Sequence, residues 1–251
     1  MSLREHLNEL KRRLFFSALA IVVAAIAGWF LFTPFFNAMQ APLLDSAKEH
    51  GITASMNFTG VASGLDFRIK LSCFIGFFIS CPVWIYQLWA FITPGLNKRE
   101  RIYTYGFVGA AVPLFLGGAY FAWWLLPRAV EILTAFVPED STNLIQADVY
   151  LSFVMRLIIA FGLACAMPVL LVALNFIGIL SASTMLKAWR WAIVVAFVFA
   201  AMMTPTPDAL TMILVAMPIV VLYFVAVGVS HLHDRHEAKR MAELDKELQN
   251  I

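Results

Sequence analysis

Long apolar runs alternate with short polar segments along most of the chain. Six runs are candidate membrane spans, because about 20 apolar residues cross the roughly 30 Å of hydrocarbon in a bilayer. We place these spans at about 14–36, 67–92, 103–127, 150–180, 189–203 and 209–229. Residues 1–230 then form a six-span membrane domain, and the polar residues 231–251 form a tail.

The six runs predict helices rather than the strands of a barrel. They lack a barrel's alternation of apolar and polar residues, and lipid offers backbone groups no hydrogen-bond partner. Prolines inside the runs predict bent helices; they are Pro82, Pro113, Pro168 and Pro218. The predicted fold class is an all-α polytopic membrane protein whose six kinked helices form a concave wall.

The fifth span, at 189–203, is short for a bilayer crossing. Two interpretations remain open. The helix lies beside a tilted neighbour and Arg190 reaches back to the interface, or the bilayer is locally thinner around this hairpin.

The composition agrees with a membrane protein. The 251 residues are 61% hydrophobic and 14% charged, with a mean hydropathy of +0.81. Soluble domains carry roughly 25% charged residues, so a soluble enzyme, a disordered chain and a disulfide-stapled secreted domain are excluded. The three cysteines lie in apolar runs and are interpreted as packing residues. A net charge of +2 gives no reason to expect a nucleic-acid partner.

The positions of the basic residues predict the orientation. Thirteen of the eighteen Lys and Arg residues lie in the two termini, in the second-to-third connection, or in the fourth-to-fifth connection and the adjoining start of the fifth span. An even number of spans puts these segments on one side, and basic residues concentrate on the cytoplasmic side of a membrane. We therefore expect both termini in the cytoplasm.

The sequence gives no sign of catalysis. It lacks the short motifs of zinc proteases, serine hydrolases and nucleotide-binding loops. A proton relay requires ionisable residues inside the membrane, and the cores of the spans hold almost none. His231, His233 and His236 are not spaced to share one helical face, and no other ligand completes a metal pattern. We expect no enzyme, no metal and no cofactor.

Two acidic residues lie at the predicted cytoplasmic edge. Glu9 lies in the amphipathic segment HLNELKRRL, and Glu100 lies among Lys98, Arg99 and Arg101. Each has an ordinary interpretation: Glu9 as the i,i+4 partner of Arg13, and Glu100 as a neutraliser of its basic neighbours. Two carboxylates there would also suit a ligand with paired guanidinium groups, because arginine binds carboxylates bidentately and lysine cannot.

Motifs in most of the chain resemble the TatC family, the multispanning receptor subunit of the twin-arginine protein translocase. HLNELKRRL resembles that family's H-L-x-E-L-R-x-R-L, and Ala41-Pro42-Leu43 resembles its A-P-L. Further matches follow in the family's order: residues 67–70, 81–82, 86–91, 94–96, 100–101, 150–155, 161–168 and 204–208, the last resembling its T-P-P-D hairpin.

The resemblance implies a glove-shaped six-helix fold and a role in protein export. Such proteins bind twin-arginine signal peptides on the cytoplasmic side and organise TatA-like and TatB-like single-span partners in an oligomeric complex. Folded cargo then crosses the bilayer, driven by the proton-motive force. We therefore expect a multi-pass protein of the bacterial cytoplasmic (inner) membrane.

The resemblance also implies roles for individual residues. Those implied to bind the signal peptide are Glu9, Lys11, Phe91, Glu100 and Arg101. Those implied to pack against partner subunits are Ala166, Thr204, Pro205, Asp208 and Met212. Pro42 matches a position in the outer cap. Asp208 has a second interpretation as the N-cap of the last helix, and both roles can hold.

Three positions depart from the family pattern. Lys11 stands where arginine is usual, which keeps the charge and loses the fork. Ala166 stands where a glutamate is common, and Met212 where a glutamine is common. The two last changes remove polar groups that a partner helix could contact.

Two other function classes have features that can be checked in the sequence. A small-solute secondary transporter needs a polar site near the middle of the membrane and often an internal repeat. An intramembrane protease needs a nucleophile or a pair of acids. Neither set of features is present in the sequence, so a receptor for protein export is the preferred hypothesis.

Overall fold

The structure is a computed structural model that describes residues 3–49, 53–58, 60, 62–92, 101–134, 142–203 and 209–249. Within these residues the regular structure is helical apart from one pair of short strands, which confirms the predicted all-α polytopic fold class. The chain divides into two compact units, Met1–Gly162 and Leu163–Ile251, and the boundary falls within α6. The elements of the described residues are α1 Leu3–Phe30, α2 Phe32–Glu49, β1 Thr53–Asn57, α3 Ser63–Ile79, α4 Cys81–Ile92, α5 Arg101–Thr134, β2 Thr142–Gln146, α6 Ala147–Phe176, α7 Ala182–Lys187, α8 Trp189–Met203 and α9 Ala209–Gln249.

Several of these helices are long and apolar enough to cross a membrane. In the described part of the chain there are four, spanning Arg4–Phe30, Tyr105–Glu131, Ala147–Phe176 and Val215–Met241. The pair α3 and α4 passes the same test if it counts as one bent span, whereas α8 is apolar but shorter. The protein is therefore a multi-pass membrane protein.

The first apolar run is divided between two helices. The predicted span 14–36 covers most of α1, a turn at Leu31 and the start of α2. Pro34 lies in the first turn of α2, where its missing N–H is tolerated. Its ring would clash with the carbonyl of Phe30 in a continuous helix, which explains why α1 ends there.

A bend of 62° separates α3 from α4 at Ser80. Pro82 removes one backbone donor and disfavours a straight helix. The indole N–H of Trp84 donates to the carbonyl oxygen of Phe77 at 3.0 Å, and the two rings stack at 4.8 Å between centroids. The carbonyl oxygen of Phe77 therefore has a hydrogen-bond partner at the bend.

Helices α1 and α3 lie in backbone contact in the first unit. A Cβ atom added to Gly76 would lie 2.5 Å from the backbone N of Ala25 and 2.9 Å from the carbonyl oxygen of Ile21. A Cβ atom added to Gly28 would meet the carbonyl oxygen of Ser72 on the other helix. Only glycine permits this close approach at both positions.

Two short strands were not predicted from the sequence. Strands β1 and β2 pair in parallel, with Thr53 opposite Thr142 and Asn57 opposite Gln146. Near them, the Tyr150 hydroxyl donates to the carbonyl oxygen of Met39 at 2.9 Å. These contacts join α2, the sheet and the start of α6 on the side that the charge pattern predicts to be outside.

The second unit contains the end of α6 and the helices α7, α8 and α9. Helix α6 ends at Phe176 because Gly178 adopts φ +79°, and the N–H of Ile179 donates to the carbonyl oxygen of Leu174 at 3.0 Å. Helix α9 continues without a break from the last predicted span through the predicted tail to Gln249. The polar tail is therefore helical through Gln249.

Candidate functional site

Five side chains from α1 and α4 meet in the first unit, and we call them the Glu9 cluster: His6, Glu9, Arg13, Gln87 and Phe91. Positions 6, 9 and 13 share one face of α1, since residues three and four apart are neighbours on a helix. Positions 87 and 91 are one turn apart on α4 by the same rule. The cluster therefore follows from two helix faces that pack together.

Arg13 is the centre of the hydrogen bonding in this cluster. Its Nη2 donates to Glu9 Oε1 at 2.6 Å, and its Nε donates to the same oxygen at 3.0 Å. Its Nη1 lies 3.4 Å from Gln87 Oε1. The interpretation of Glu9 as the i,i+4 partner of Arg13 is therefore confirmed.

The second carboxylate oxygen of Glu9 is buried, and no donor from the described residues reaches it. A buried carboxylate oxygen without a donor is unfavourable, because it has lost water without gaining a hydrogen bond. The Glu9 side chain as a whole is 20% exposed. The cluster thus contains an acceptor atom that an additional cation could use.

Phe91 forms the apolar side of the cluster. Its ring stacks on the imidazole of His6, with 4.5 Å between ring centroids and 25° between the planes. Phe91 is half-buried, while His6 is exposed. A planar aromatic ring is a surface on which a guanidinium can stack.

Within the described part of the chain, the Glu9 cluster does not include the other predicted peptide-binding residues. Lys11 is exposed, and it lies two positions from Glu9, about 200° around the helix. Arg101 begins α5, with only its backbone described. Glu100 lies outside the described residues. Their part in the site therefore stays a prediction.

Pro42, the predicted outer-cap residue, lines a cavity of about 310 Å³ between α2 and α5. The full lining consists of Ala38, Ala41, Pro42, Asp45, Pro127, Arg128 and Glu131. In the same unit, Lys70 bridges two carboxylates, with its Nζ 2.7 Å from Asp66 and 2.7 Å from Asp148. The cavity lining also contains three charged side chains, Asp45, Arg128 and Glu131. This region of the first unit is polar.

The residues predicted to pack against partners lie in the second unit. Ala166 on α6 and Met212 on α9 are both half-buried. Thr204, Pro205 and Asp208 lie outside the described residues. The N-cap interpretation of Asp208 and the partner interpretation therefore both stay predictions.

A polar junction in the second unit is not predicted from the sequence. Asp234 of α9 accepts a hydrogen bond from Asn175 Nδ2 at 2.8 Å and one from the backbone N–H of Ala182 at 2.8 Å. Burial alone would raise the pKa of Asp234, but these two hydrogen bonds and the nearby His233 and His231 outweigh it and lower that pKa. The carboxylate therefore joins α6, α7 and α9.

One histidine of the predicted tail, His233, takes part in packing. The ring of His233 stacks on Phe176, with 3.8 Å between centroids. Among the described residues, no group of three His, Cys, Asp or Glu side chains is arranged to hold a metal ion.

Arg68 is a second residue that the sequence reasoning did not identify. Its guanidinium carbon lies 4.2 Å from the centroid of the Trp29 ring and 5.1 Å from that of Phe32. Arginine stacks favourably on aromatic faces. The sequence offered one hint, an arginine near the start of the predicted span 67–92, but the two rings come from other helices, α1 and α2.

Comparisons with known proteins agree with the resemblance in the sequence. The family model described as "Sec-independent protein translocase protein (TatC)" matches residues 5–218. The chain is 55% identical over 243 residues to the TatC protein of Xylanimonas cellulosilytica, covering 96% of this chain and 88% of the relative. It is 33% identical over 250 residues to TatCy of Bacillus subtilis, covering 99% and 95%.

Solved structures give the same result. The chain resembles a crystal structure described as twin arginine translocase receptor TatC in DDM, with a TM-score of 0.76 and 31% identity. The match covers 90% of this chain and 99% of that chain. A second structure described as the same receptor matches with a TM-score of 0.71 and 30% identity.

Proposed function

The chain belongs to the TatC family of Sec-independent protein translocase proteins, and from that premise we propose that it is a receptor for twin-arginine signal peptides. In this role it is the core subunit of a translocase that moves folded proteins across a membrane. The solved relatives are described as twin arginine translocase receptors, which supports the receptor role.

The Glu9 cluster is the observation that carries the proposal. It presents a carboxylate, an amide oxygen and an aromatic face within one small region of α1 and α4. A guanidinium can donate to the first two groups and stack on the third. An ammonium group lacks both the planar fork and the stacking surface, so this set of groups favours arginine over lysine.

The remaining site residues extend this proposal. Glu100 supplies a second carboxylate for the second arginine of the motif, at the connection that precedes α5. Lys11 and Arg101 lie near the two carboxylates in the sequence and position the peptide backbone and its flanking residues. These three roles rest on the resemblance of the motifs.

The topology also belongs to the proposal. We assign six spans, by counting α3 with α4 as one bent span and by including α8 as a short one, within a membrane domain of residues 1–230. Thirteen of the eighteen basic residues then fall on the side of both termini, which supports a cytoplasmic location for the Glu9 cluster. The membrane is the bacterial inner membrane.

The partners are proposed to be TatA-like and TatB-like single-span subunits. They pack against the hairpin of Thr204, Pro205 and Asp208 and against Ala166 and Met212. Pro42 and the polar region around it form the outer cap. Because Ala166 and Met212 replace polar residues of the family pattern, these contacts are apolar packing. The chain itself is a receptor rather than an enzyme.

Peptide binding tests the receptor role directly. The chain is purified in detergent and titrated with a fluorescently labelled signal peptide that carries two consecutive arginines. The matched peptide has both arginines replaced by lysine. We expect the lysine peptide to bind at least tenfold more weakly.

A matched pair of variants links the result to the cluster. Glu9→Gln should weaken binding of the arginine peptide, because it removes the charged acceptor. Glu243→Gln removes the same charge from an exposed position on α9 and should leave binding unchanged. Equal affinity of the purified chain for the arginine and lysine peptides would contradict the proposed function.

A further inference from the structure

Resting on the proposed function, we propose that Arg13 is an internal competitor for the signal peptide. Its guanidinium occupies Glu9 and Gln87, and a twin-arginine peptide must displace it. The contact therefore regulates both the affinity of the site and its preference for arginine over lysine.

Arg13 uses the acceptor atoms that a ligand arginine would use. Three of its donor nitrogens point at Glu9 Oε1 and Gln87 Oε1. Because a guanidinium is always charged and has the same fork in a side chain and in a peptide, the two compete for one position.

The Glu9–Arg13 pairing is not the best that the carboxylate can make. Arg13 directs two donors at a single oxygen, whereas the preferred pairing of a guanidinium with a carboxylate uses both oxygens in parallel. The other oxygen is buried without a donor from the described residues. The distance to Gln87, 3.4 Å, is also long for a hydrogen bond.

Arg13 cannot take the two-oxygen arrangement freely, because it belongs to the same helix as Glu9. It is fixed four residues from Glu9 on the same helix, so its approach to the carboxylate is restricted. A peptide arginine has no such tether and can take the two-oxygen arrangement. Exchange thus replaces a one-oxygen pairing with a bidentate one.

The same comparison explains discrimination against lysine. An ammonium group offers no parallel fork, so it gains no bidentate pairing when it replaces Arg13. A guanidinium therefore gains enough interaction energy at Glu9 to displace Arg13, and an ammonium group does not. Removing the competitor should help a lysine peptide more than an arginine peptide.

The electrostatics point in the same direction. Residues 3–14 contain four basic side chains and two acidic ones. While Arg13 neutralises Glu9, an incoming cation meets a surface of net positive charge. When Arg13 leaves, the cation meets the Glu9 carboxylate without its partner, and the local interaction becomes attractive.

The test compares Arg13→Gln with Arg12→Gln in the full-length chain purified in detergent. The two variants remove the same charge from adjacent positions, but Arg12 faces the Phe16 ring rather than the carboxylate, with 5.8 Å between its guanidinium carbon and that ring. Each variant is titrated with the arginine and lysine peptides described above. Thermal unfolding of each variant shows whether it is folded.

We expect Arg13→Gln to bind the arginine peptide about threefold to tenfold more tightly than Arg12→Gln does. We also expect its ratio of arginine-peptide to lysine-peptide affinity to fall. Arg13→Lys keeps the charge and loses the fork, so it should move both quantities in the same direction by less. If Arg13→Gln does not fold, the comparison of Arg13→Lys with Arg12→Gln provides the test.

Three results separate the possibilities. Equal affinities for Arg13→Gln and Arg12→Gln would mean that only charge matters, and would overturn the inference. Weaker binding by folded Arg13→Gln or Arg13→Lys would mean that Arg13 positions Glu9 for the ligand, and would overturn it as well. An unaltered chain that does not distinguish the two peptides would instead contradict the proposed function.

Discussion

The contact between α1 and α3 makes Gly76→Ala a sharp test of the packing. The added methyl group would lie 2.5 Å from the backbone N of Ala25 and 2.7 Å from its Cα, and 2.9 Å from the carbonyl oxygen of Ile21. All three atoms belong to the helix backbone. They cannot move aside as the end of a flexible side chain could.

The size of the effect follows from this geometry. Ordinary contact begins at 3.4 Å, so α1 must move away from α3 by about 1 Å. A gap of 0.5–1 Å forfeits roughly a quarter to a half of each dispersion contact across it. Overpacking costs about 1–3 kcal/mol where neighbours can adjust. We therefore expect a loss near the upper end, about 3 kcal/mol.

Thermal unfolding in detergent, followed by circular dichroism, measures this loss. For a chain of this size, about 3 kcal/mol lowers Tm by roughly 6–12 °C. The control is Gly117→Ala in α5, where a Cβ atom would meet nothing within 4 Å. That variant should keep or slightly raise Tm, since alanine favours helix over glycine by about 1 kcal/mol. Equal Tm values for Gly76→Ala and the unaltered chain would refute the close approach of the two backbones.

Two further predictions concern hydrogen bonds away from the Glu9 cluster. Tyr150→Phe should lower the free energy of unfolding by about 1 kcal/mol, because it leaves the Met39 carbonyl oxygen without its partner; an unchanged Tm would contradict that bond. Asp234→Ala should cost about 1–3 kcal/mol, because the donors of Asn175 and Ala182 lose their acceptor. Folding lowers the pKa of Asp234, so the contribution of its carboxylate is fully present above the unfolded-state pKa of about 4 and decreases as the pH falls below that value. The difference in stability between the variant and the unaltered chain should therefore shrink as the pH falls below about 4. A constant difference from pH 7 to pH 3 would contradict the role of the ionised carboxylate.

The helical membrane fold could be predicted because the apolar runs are long and carry few charges. The helix ends were harder to predict. The break at Leu31 lies near Pro34 and the bend at Ser80 lies near Pro82, and the sequence alone does not show whether a proline bends a helix or ends it. The strands β1 and β2 are short and polar, and each is stabilised by a partner far away in the sequence, so no local pattern marks them.

The site could be predicted only in part for a related reason. Glu9 and Phe91 stand in recognisable motifs, and the pairing of Glu9 with Arg13 follows from helix spacing. The contact between Arg13 and Gln87 joins residues 74 positions apart. It depends on how α1 packs on α4, which the sequence alone does not specify. The junction at Asp234 escaped notice because a charged residue in a polar tail is usually solvated.

The central claim is that a peptide arginine binds Glu9, and a double-mutant cycle tests it most directly. The affinities of the unaltered chain and of Glu9→Gln are measured for the arginine peptide and for peptides with one arginine replaced by lysine. If the two groups touch, the arginine-to-lysine change should cost at least tenfold in the unaltered chain and much less in Glu9→Gln. That difference is a coupling of about 1 kcal/mol or more. Equal costs of the arginine-to-lysine change in both chains, for each of the two arginines, would show that Glu9 does not contact the motif and would contradict the account.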